Sequence, residues 1–315
     1  MAVALSLAAV CFVRGDDMPA TPTELMTQAD NQFDARNFPA AIGLYQRALA
    51  GATAMSDTST QLEAMAQLAR CHLTQNLFDG AKEWLDKAAA IASKDYPAGY
   101  ARYLGVRGRL EWREGRNDNA RELFMQMYDL SNADNLPARA IDACRMMAIV
   151  GTPQEQIDWG RRGIAAAEQS GLLENLASLW NNLAASYGDQ GDYVNACDAF
   201  LKAREYHWRF GNEIGKLYAD YQVGWALRMK GDLDQALTWL RPSLAWAERL
   251  GNDDVEAQAC EDLGEIAFAR SDFRSAAAYL KRALEHFVKA GYPDHSPEKV
   301  AALEKRITEA ERRQE

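Results

Sequence analysis

Small residues recur along this chain at intervals of close to 40 residues. The recurring position, called the marker position, is occupied by Ala41, Ala81, Ala120, Gln156, Ala196, Ala236 and Ala276. The successive intervals are 40, 39, 36, 40, 40 and 40 residues. A repeat of this length accommodates two helices and a turn, so the pattern predicts an array of similar units instead of two unrelated domains.

Two further positions keep the same register as the marker. Twelve residues before it stands a small residue in every copy: Ala29, Ala69, Gly108, Cys144, Ala184, Gly224 and Gly264. Four residues after it stands a large residue in six copies: Tyr45, Leu85, Phe124, Phe200, Leu240 and Leu280. Helices approach to about 8–10 Å where small side chains meet, and large side chains fill the remaining space. The register therefore predicts about seven helix hairpins, each packed on the next.

The predicted turns carry residues that adopt turn conformations at low cost. Gly191-Asp192, Gly231-Asp232 and Ser271-Asp272 separate the two helices in the last three copies. Fifteen residues after the marker, five copies carry a residue that tolerates the left-handed conformation: Asn135, Gly171, Gly211, Gly251 and Gly291. We therefore expect a helix to end in a left-handed residue at each of these five positions.

The fifth copy resembles the tetratricopeptide repeat (TPR). The resemblance rests on Trp180, Leu183, Ala184, Tyr187, Gly191, Asp192, Tyr193, Ala196, Phe200 and Ala203. The usual unit has about 34 residues, so this 40-residue variant has longer helices and is similar to repeats of kinesin light chains, G-protein-signalling scaffolds and several bacterial regulators. The resemblance covers residues 23–291. It implies an all-α, right-handed α-solenoid of about seven TPR-like hairpins.

The segments outside the repeats have separate interpretations. Residues 1–13 form an apolar run, shorter than the roughly 20 residues that span a bilayer. Residues 1–15 resemble a secretory leader followed by a linker over 16–22, which favours export to the periplasm or the exterior. The alternatives are a misassigned or partly missing start, a lipid anchor at Cys11, and a cytoplasmic location. Ser296 and Pro297 predict the start of a C-terminal capping helix within 295–315.

The fourth repeat, residues 137–171, departs from the pattern. It has Gln156 at the marker position and two glycines, Gly160 and Gly163, inside one predicted helix. The first interpretation is a degenerate repeat whose glycines allow helices to pack closely. The second is a hinge or a change of curvature between an N-terminal and a C-terminal half.

Signatures of catalysis and of metal binding are absent from the sequence. The four histidines are widely separated, and the five cysteines form no CxxC pair. No hydrolase, metalloprotease or nucleotide-binding motif is present. The sequence therefore predicts a non-enzymatic protein without cofactor or metal, and buried thiols at the four cysteines within the repeats. A net charge of −10 argues against nucleic acid and membrane surfaces as partners.

The TPR resemblance implies that the first helix of each hairpin lines an inner, concave groove. Its exposed positions lie 14 and 11 residues before the marker. Asn182, at the first of these positions, matches the asparagine with which the family holds a peptide backbone. Arginine occupies the second position in three consecutive repeats. The predicted groove residues are Arg70, Arg102, Arg109, Trp112, Arg113, Arg145, Asn182, Tyr221, Gln222 and Trp225.

These residue types predict a non-catalytic adaptor that holds a peptide segment of another protein. The arginines would neutralise acidic groups, the amides would hold backbone, and Tyr221 and Trp225 would take an apolar side chain. One alternative is a regulatory sensor that binds a small peptide or ligand and switches a partner in trans; another is a homo-oligomeric assembly module. The structural alternatives are that the arginines pair with carboxylates and that Tyr221 and Trp225 pack between hairpins.

Overall fold

The computed structural model describes residues 20–314, whose regular structure is entirely helical. A single 3-10 turn, Leu173–Asn175, precedes the ninth of sixteen α-helices. The helices are α1 (Pro22–Asp34), α2 (Phe38–Ala54), α3 (Thr58–Thr74), α4 (Phe78–Ala89), α5 (Pro97–Arg113), α6 (Asn117–Ala133), α7 (Pro137–Val150), α8 (Pro153–Ser170), α9 (Leu176–Asp189), α10 (Tyr193–Phe210), α11 (Glu213–Lys230), α12 (Leu233–Leu250), α13 (Asp253–Ala269), α14 (Phe273–Lys289), α15 (Tyr292–His295) and α16 (Pro297–Arg312).

The first fourteen helices form seven consecutive hairpins, followed by a terminal helix. This arrangement confirms the predicted all-α class and the predicted hairpins. The leader predicted over residues 1–15 lies outside the described residues. The chain divides into two compact units, one ending at Leu123 and the other beginning at Phe124, within α6. Unit 1 has apolar clusters around Tyr45 and Leu85, and unit 2 has one extended cluster that continues from Ile141 into α16.

The marker alanines lie inside the packing between helices. Ala41, Ala81, Ala120, Ala196, Ala236 and Ala276 are all 0% exposed. In the last two hairpins, the glycine before the marker contacts the large residue after it. A Cβ built on Gly224 would lie 2.8 Å from Leu240 Cγ, and one built on Gly264 would lie 2.7 Å from Leu280 Cγ. Because any side chain there would collide with leucine, these positions require glycine and fix the register of the two helices.

A left-handed residue followed by aspartate connects the two helices of three hairpins. Gly191, Gly231 and Ser271 have φ values of 75°, 92° and 61°. The next residue, Asp192, Asp232 or Asp272, accepts a hydrogen bond from the backbone N–H three residues later, at 3.2, 3.4 and 3.1 Å. One residue thus ends the first helix and the next one caps the second, which gives these short turns a defined geometry.

The predicted left-handed helix ends occur at four of the five positions. Asn135, Gly171, Gly251 and Gly291 have positive φ. The prediction was wrong for Gly211, which is extended at φ −80° and ψ 159°. At that point the chain leaves α10 in an extended conformation and enters α11 directly at Asn212, whose side chain caps the backbone N–H of Gly215 at 2.8 Å.

The glycines of the fourth repeat lie at close helix contacts. A Cβ on Gly163 would lie 2.8 Å from Leu179 Cδ2 on α9 and 3.1 Å from Cys144 Cβ on α7. A Cβ on Gly160 would lie 3.3 Å from Leu183 Cδ1. These distances support the close-packing interpretation, while the hinge stays a prediction.

The four cysteines of the repeats are buried free thiols. Burial raises the pKa of Cys71 and Cys144 to about 12 and that of Cys260 to about 11, so these thiols stay protonated and unreactive at neutral pH.

The terminal helix α16 packs on α14 and buries Leu303, Ile307 and Ala310. Ser296 is its N-cap, as predicted, but its side chain makes no capping hydrogen bond. The short helix α15, which the sequence analysis did not predict, occupies the space between α14 and this cap.

Candidate functional site

Helix α11 presents a row of aromatic and amide side chains, because residues three and four apart share one face of a helix. This face borders two cavities of unit 2 that share Tyr221, Trp225 and Gln258; together they are called the α11 groove. The smaller cavity has a volume of about 240 Å³ and is lined by Ala185, Asp189, Phe200, Tyr218, Tyr221, Gln222, Trp225 and Gln258. The larger has about 430 Å³ and is lined by Tyr221, Trp225, Arg228, Met229, Gln258, Glu261, Asp262, Tyr292 and Lys299.

The indole of Trp225 lines both cavities and packs against neighbouring rings. It packs edge-on against the rings of Phe200 and Tyr193, with centroid distances of 6.0 and 6.3 Å. A Cβ on Gly188 would lie 3.0 Å from Trp225 Cη2, so the absence of a side chain there makes room for the indole. Trp225 is half-buried and therefore offers a rigid aromatic surface to the groove.

A buried ionic cluster lies beneath the larger cavity. Asp262 is 3% exposed, and its Oδ1 accepts a hydrogen bond from Arg228 Nε at 2.6 Å. Its Oδ2 is buried without a hydrogen-bond partner. Burial raises the pKa of Asp262 to about 6, although the Arg228 guanidinium partly offsets this effect. Burial and the neighbouring Asp262 carboxylate raise the pKa of Tyr221 well above its usual value.

The segment after the last hairpin supplies one wall of the larger cavity. Lys299 Nζ lies 2.8 Å from Glu261 Oε2 and 4.6 Å from the centroid of the Phe287 ring. Two turns further along α16, Arg306 binds Glu265 through two nitrogens, at 2.9 and 2.7 Å. These pairs connect α16 to α13, so the terminal helix forms part of the groove as well as covering the last hairpin.

Three of the predicted groove residues meet in the α11 groove. Gln222 and Trp225 are half-buried there, whereas Tyr221 is only 6% exposed. Tyr221 therefore packs between α11 and α13 and contributes its edge to both cavities. Asn182 is half-buried on α9, one turn before Ala185, and does not line either cavity.

The three arginines predicted as a stripe each have a contact within the chain. In unit 1, the Arg70 guanidinium lies 4.5 Å from the centroid of the Phe33 ring, and Arg109 Nη1 donates to the Gly105 carbonyl at 3.0 Å. In unit 2, Arg145 forms an ion pair with Asp142, three residues earlier on α7.

The other three predicted residues lie on α5 in unit 1. The Arg113 guanidinium donates to the Asn76 side chain and lies 5.6 Å from the centroid of the Phe78 ring. Trp112 is 36% exposed. Arg102 is half-buried, and its Nε has no hydrogen-bond partner.

Sequence reasoning missed the ionic pairs of the groove. Arg228 and Asp262 are 34 residues apart, and Glu261 and Lys299 are 38 apart, both close to one repeat length. That spacing is the one signal in the sequence that could have suggested contacts between neighbouring repeats. It is weak, because most residues one repeat apart do not touch.

One carboxylate–histidine cluster has the residue types of a metal site. Ligand atoms of Asp253, Glu256 and His286 lie within 4.8 Å of one another. His286 Nδ1 lies 2.7 Å from Asp253, however, and its Nε2 lies 3.3 Å from Glu256. The two carboxylates pair with opposite nitrogens of the imidazole ring. The cluster connects α13 to α14, together with Arg282, which contacts Glu256 at 3.0 Å.

A third cavity of unit 2 lies between α8, α9 and α10 and has a volume of about 580 Å³. Trp180, Leu183 and Tyr187 on α9 line it, with charged residues of α8 and α10 around them. Within residues 20–314, every helix is too short or too polar to cross a membrane.

Two family models match the chain. Both are described as tetratricopeptide repeat; one matches residues 26–97 and the other matches residues 215–287. Among curated proteins, the human protein O-mannosyl-transferase TMTC1 is 26% identical over 246 residues. That match covers 78% of this chain, and the chain spans only a quarter of the length of the human protein.

Several solved structures share the fold. One is a signal transduction ATPase with numerous domains from Pyrococcus horikoshii, which has a tetratricopeptide repeat sensor. It superposes with a TM-score of 0.70 at 16% identity, and the match covers 91% of this chain and 44% of the ATPase chain. Aspartyl phosphate phosphatase F from Bacillus subtilis gives a TM-score of 0.57 at 15% identity. The match covers 84% of this chain and 70% of the phosphatase chain. A kinesin light chain protein from Podosopora anserina with TPR-like repeats gives a TM-score of 0.51 at 18% identity. The match covers 62% of this chain and 98% of the Podosopora chain. With seven hairpins in TPR register and two matching family models, the chain belongs to the tetratricopeptide repeat family.

Proposed function

We propose that the chain is a non-catalytic adaptor and that its α11 groove holds a segment of another protein. Tetratricopeptide repeats are scaffolds suited to protein–protein interaction, and the groove has the features of a peptide site. The main supporting observation is Trp225, a half-buried indole that lines both cavities. Large aromatic side chains in such positions supply much of the binding energy in protein interfaces.

The amides around Trp225 suit the backbone of a bound segment. Gln222 and Gln258 line the smaller cavity on neighbouring helices, α11 and α13. An amide both donates and accepts hydrogen bonds, so it can pair with a peptide C=O and N–H together. The two cavities would take successive side chains of the segment, one on each side of the indole. Affinity for a short segment is expected to be modest, because ordering the segment costs conformational entropy.

The proposal includes no catalytic step. The match to the human transferase is confined to a quarter of that protein.

Affinity capture with substituted proteins tests the groove. The full-length chain and its Trp225→Ala and Gln222→Ala variants are used as baits, and retained proteins are quantified by mass spectrometry. The captured amount of proteins that bind the groove should fall at least tenfold with Trp225→Ala and severalfold with Gln222→Ala. Trp208→Ala, which removes a 45% exposed tryptophan outside the groove, is the matched control and should retain them. Equal retention by all four baits, with circular dichroism showing intact helices, would rule out the groove.

The arginines of the predicted stripe form a second, separable part of the proposal. Arg70, Arg109 and Arg145 would neutralise acidic groups of a partner, in exchange for their present contacts. The support is their shared position on the first helices of consecutive repeats. If the triple substitution to Glu retains every captured protein equally, this part fails.

A regulatory sensor is the second candidate function. The Pyrococcus protein is named for a tetratricopeptide repeat sensor, and 91% of this chain superposes on it. In that case the groove would bind a small peptide and alter a partner in trans. Hydrogen exchange with and without the bound peptide separates the two functions, because a sensor requires protection changes in helices away from the groove.

A further inference from the structure

The smaller cavity of the α11 groove combines aromatic rings with one carboxylate. Phe200, Tyr218, Tyr221 and Trp225 supply rings, and the remaining lining groups are two amides and an alanine. Among the described residues that line this cavity, Asp189 alone carries a charge. A cavity with aromatic walls and an anionic group suits a cation, because ring faces and a carboxylate both attract positive charge.

Asp189 occupies an unfavourable position for the helix itself. It is the last residue of α9 and is exposed. The C-terminal end of a helix carries partial negative charge, so a carboxylate there is repelled by the helix carbonyls. The carboxylate and the helix end together concentrate negative potential at the mouth of the cavity. A ligand cation placed there would interact favourably with both.

The two tyrosines of this cavity are uncharged. The Tyr218 hydroxyl donates a hydrogen bond to Asp254. Burial and Asp254 raise the pKa of Tyr218, and burial and Asp262 raise that of Tyr221. Both tyrosines therefore stay neutral and present polarised rings to the cavity.

The larger cavity differs in its charges. Its cations, Arg228 and Lys299, are each paired with a carboxylate of the same cavity, Asp262 and Glu261. The chain therefore supplies its own counter-ions there. The smaller cavity has no lysine or arginine among its described lining residues, so a partner would have to supply the cation.

We infer that the smaller cavity binds a lysine or arginine side chain of the partner segment, with Asp189 as counter-ion and Trp225 as the aromatic wall. This inference rests on the proposed peptide-binding function of the α11 groove. It specifies the chemistry of the partner: a basic residue in the smaller cavity, beside an uncharged residue in the larger cavity, whose charges are already paired.

A random peptide library displayed on phage, panned on the full-length chain, identifies the preferred sequence without a known partner. Enriched peptides whose binding is lost with Trp225→Ala should share a lysine or arginine at one position. A synthetic peptide of this sequence, blocked at both ends, is then compared with its norleucine or citrulline analogue. We expect each analogue to bind the wild-type chain at least tenfold more weakly.

Asp189→Asn should weaken the basic peptide about tenfold and leave the neutral analogue unaffected, so the two changes should not add. Asp158→Asn, which removes an exposed carboxylate on α8, is the matched control and should leave both affinities unchanged. Asp189→Asn should also keep the thermal midpoint or raise it, because it removes a charge repelled by the helix end.

The outcomes distinguish the two levels of the proposal. The cation site is overturned if the peptides that require Trp225 share no basic residue, or if they bind Asp189→Asn as well as they bind the wild-type chain. Either result leaves the groove proposal intact. A library that yields no peptide dependent on Trp225, with the variant folded, overturns the groove and the cation site together.

Discussion

At the scale of single residues, Asp262 connects the charge state of the groove to the stability of the fold. Its carboxyl group is buried among Arg228, Tyr221 and Glu261, and its pKa is raised from 3.8 to about 6. Between these two pH values the folded chain holds a proton on Asp262 that the unfolded chain has lost. The group therefore contributes stability below about pH 4, and this contribution is lost as the pH rises through 6.

Asp262→Asn should remove this pH dependence. We expect the wild-type chain to lose about 3 kcal/mol of unfolding free energy relative to the variant between pH 3 and pH 7, from the size of the pKa change. Urea unfolding of both proteins at several pH values measures the difference, in which titrating groups that do not interact with Asp262 cancel. A difference that stays constant with pH would contradict the assigned burial of this carboxyl.

At the scale of helices, the contact between a glycine of the first helix and a leucine of the second sets the register of a hairpin. Gly264 and Leu280 show it most clearly, with 2.7 Å between a built Cβ and Leu280 Cγ. Helix propensity favours alanine over glycine by about 1 kcal/mol. Overpacking costs about 1–3 kcal/mol, so the steric effect outweighs the propensity in the native pair.

The effect of Gly264→Ala on the free energy of unfolding should therefore change sign with the residue at position 280. The substitution should destabilise the wild-type chain, and it should stabilise the Leu280→Ala variant, where the obstructing side chain is gone. Gly43→Ala is the control, because a Cβ on Gly43 inside α2 meets nothing within 4 Å and should only add stability. Chemical unfolding of the four proteins of the cycle provides the coupling energy. If Gly264→Ala has the same effect in both backgrounds, the proposed contact does not determine the register.

The hairpins could be predicted from sequence because small and large residues alternate in a constant register. Ala196 and Phe200, for example, had to be interior in any packing that used that register, and both are buried. The groove was harder to predict. Whether Tyr221 packs inward or faces a ligand depends on the distance between α11 and α13, which periodicity does not specify. The left-handed conformation expected at Gly211 failed for a related reason, since glycine permits that conformation without requiring it.

At the scale of the whole chain, each unit contains its own apolar clusters. In a repeat array each hairpin contacts mainly its neighbours, so stability is approximately a sum of local terms. A substitution in one of the last hairpins should then have local effects.

Leu280→Ala tests this locality. It should cost about 2–5 kcal/mol in its own region, because it leaves a cavity between α13 and α14. Hydrogen exchange followed by mass spectrometry should show faster exchange in α13 and α14, with α1–α4 unchanged. The conservative Leu280→Met variant should show little effect anywhere. Uniformly faster exchange along the described chain would indicate global cooperativity instead.

The fit between glycine and leucine within a hairpin also has an evolutionary consequence. A duplication that copies both helices copies the glycine together with the leucine that packs on it. Recombination between the two helices separates the glycine from its leucine. Gain and loss of length in this lineage should therefore proceed by whole hairpins, with recombination points in the connections between them. Substitutions at the two positions should also be correlated among related chains.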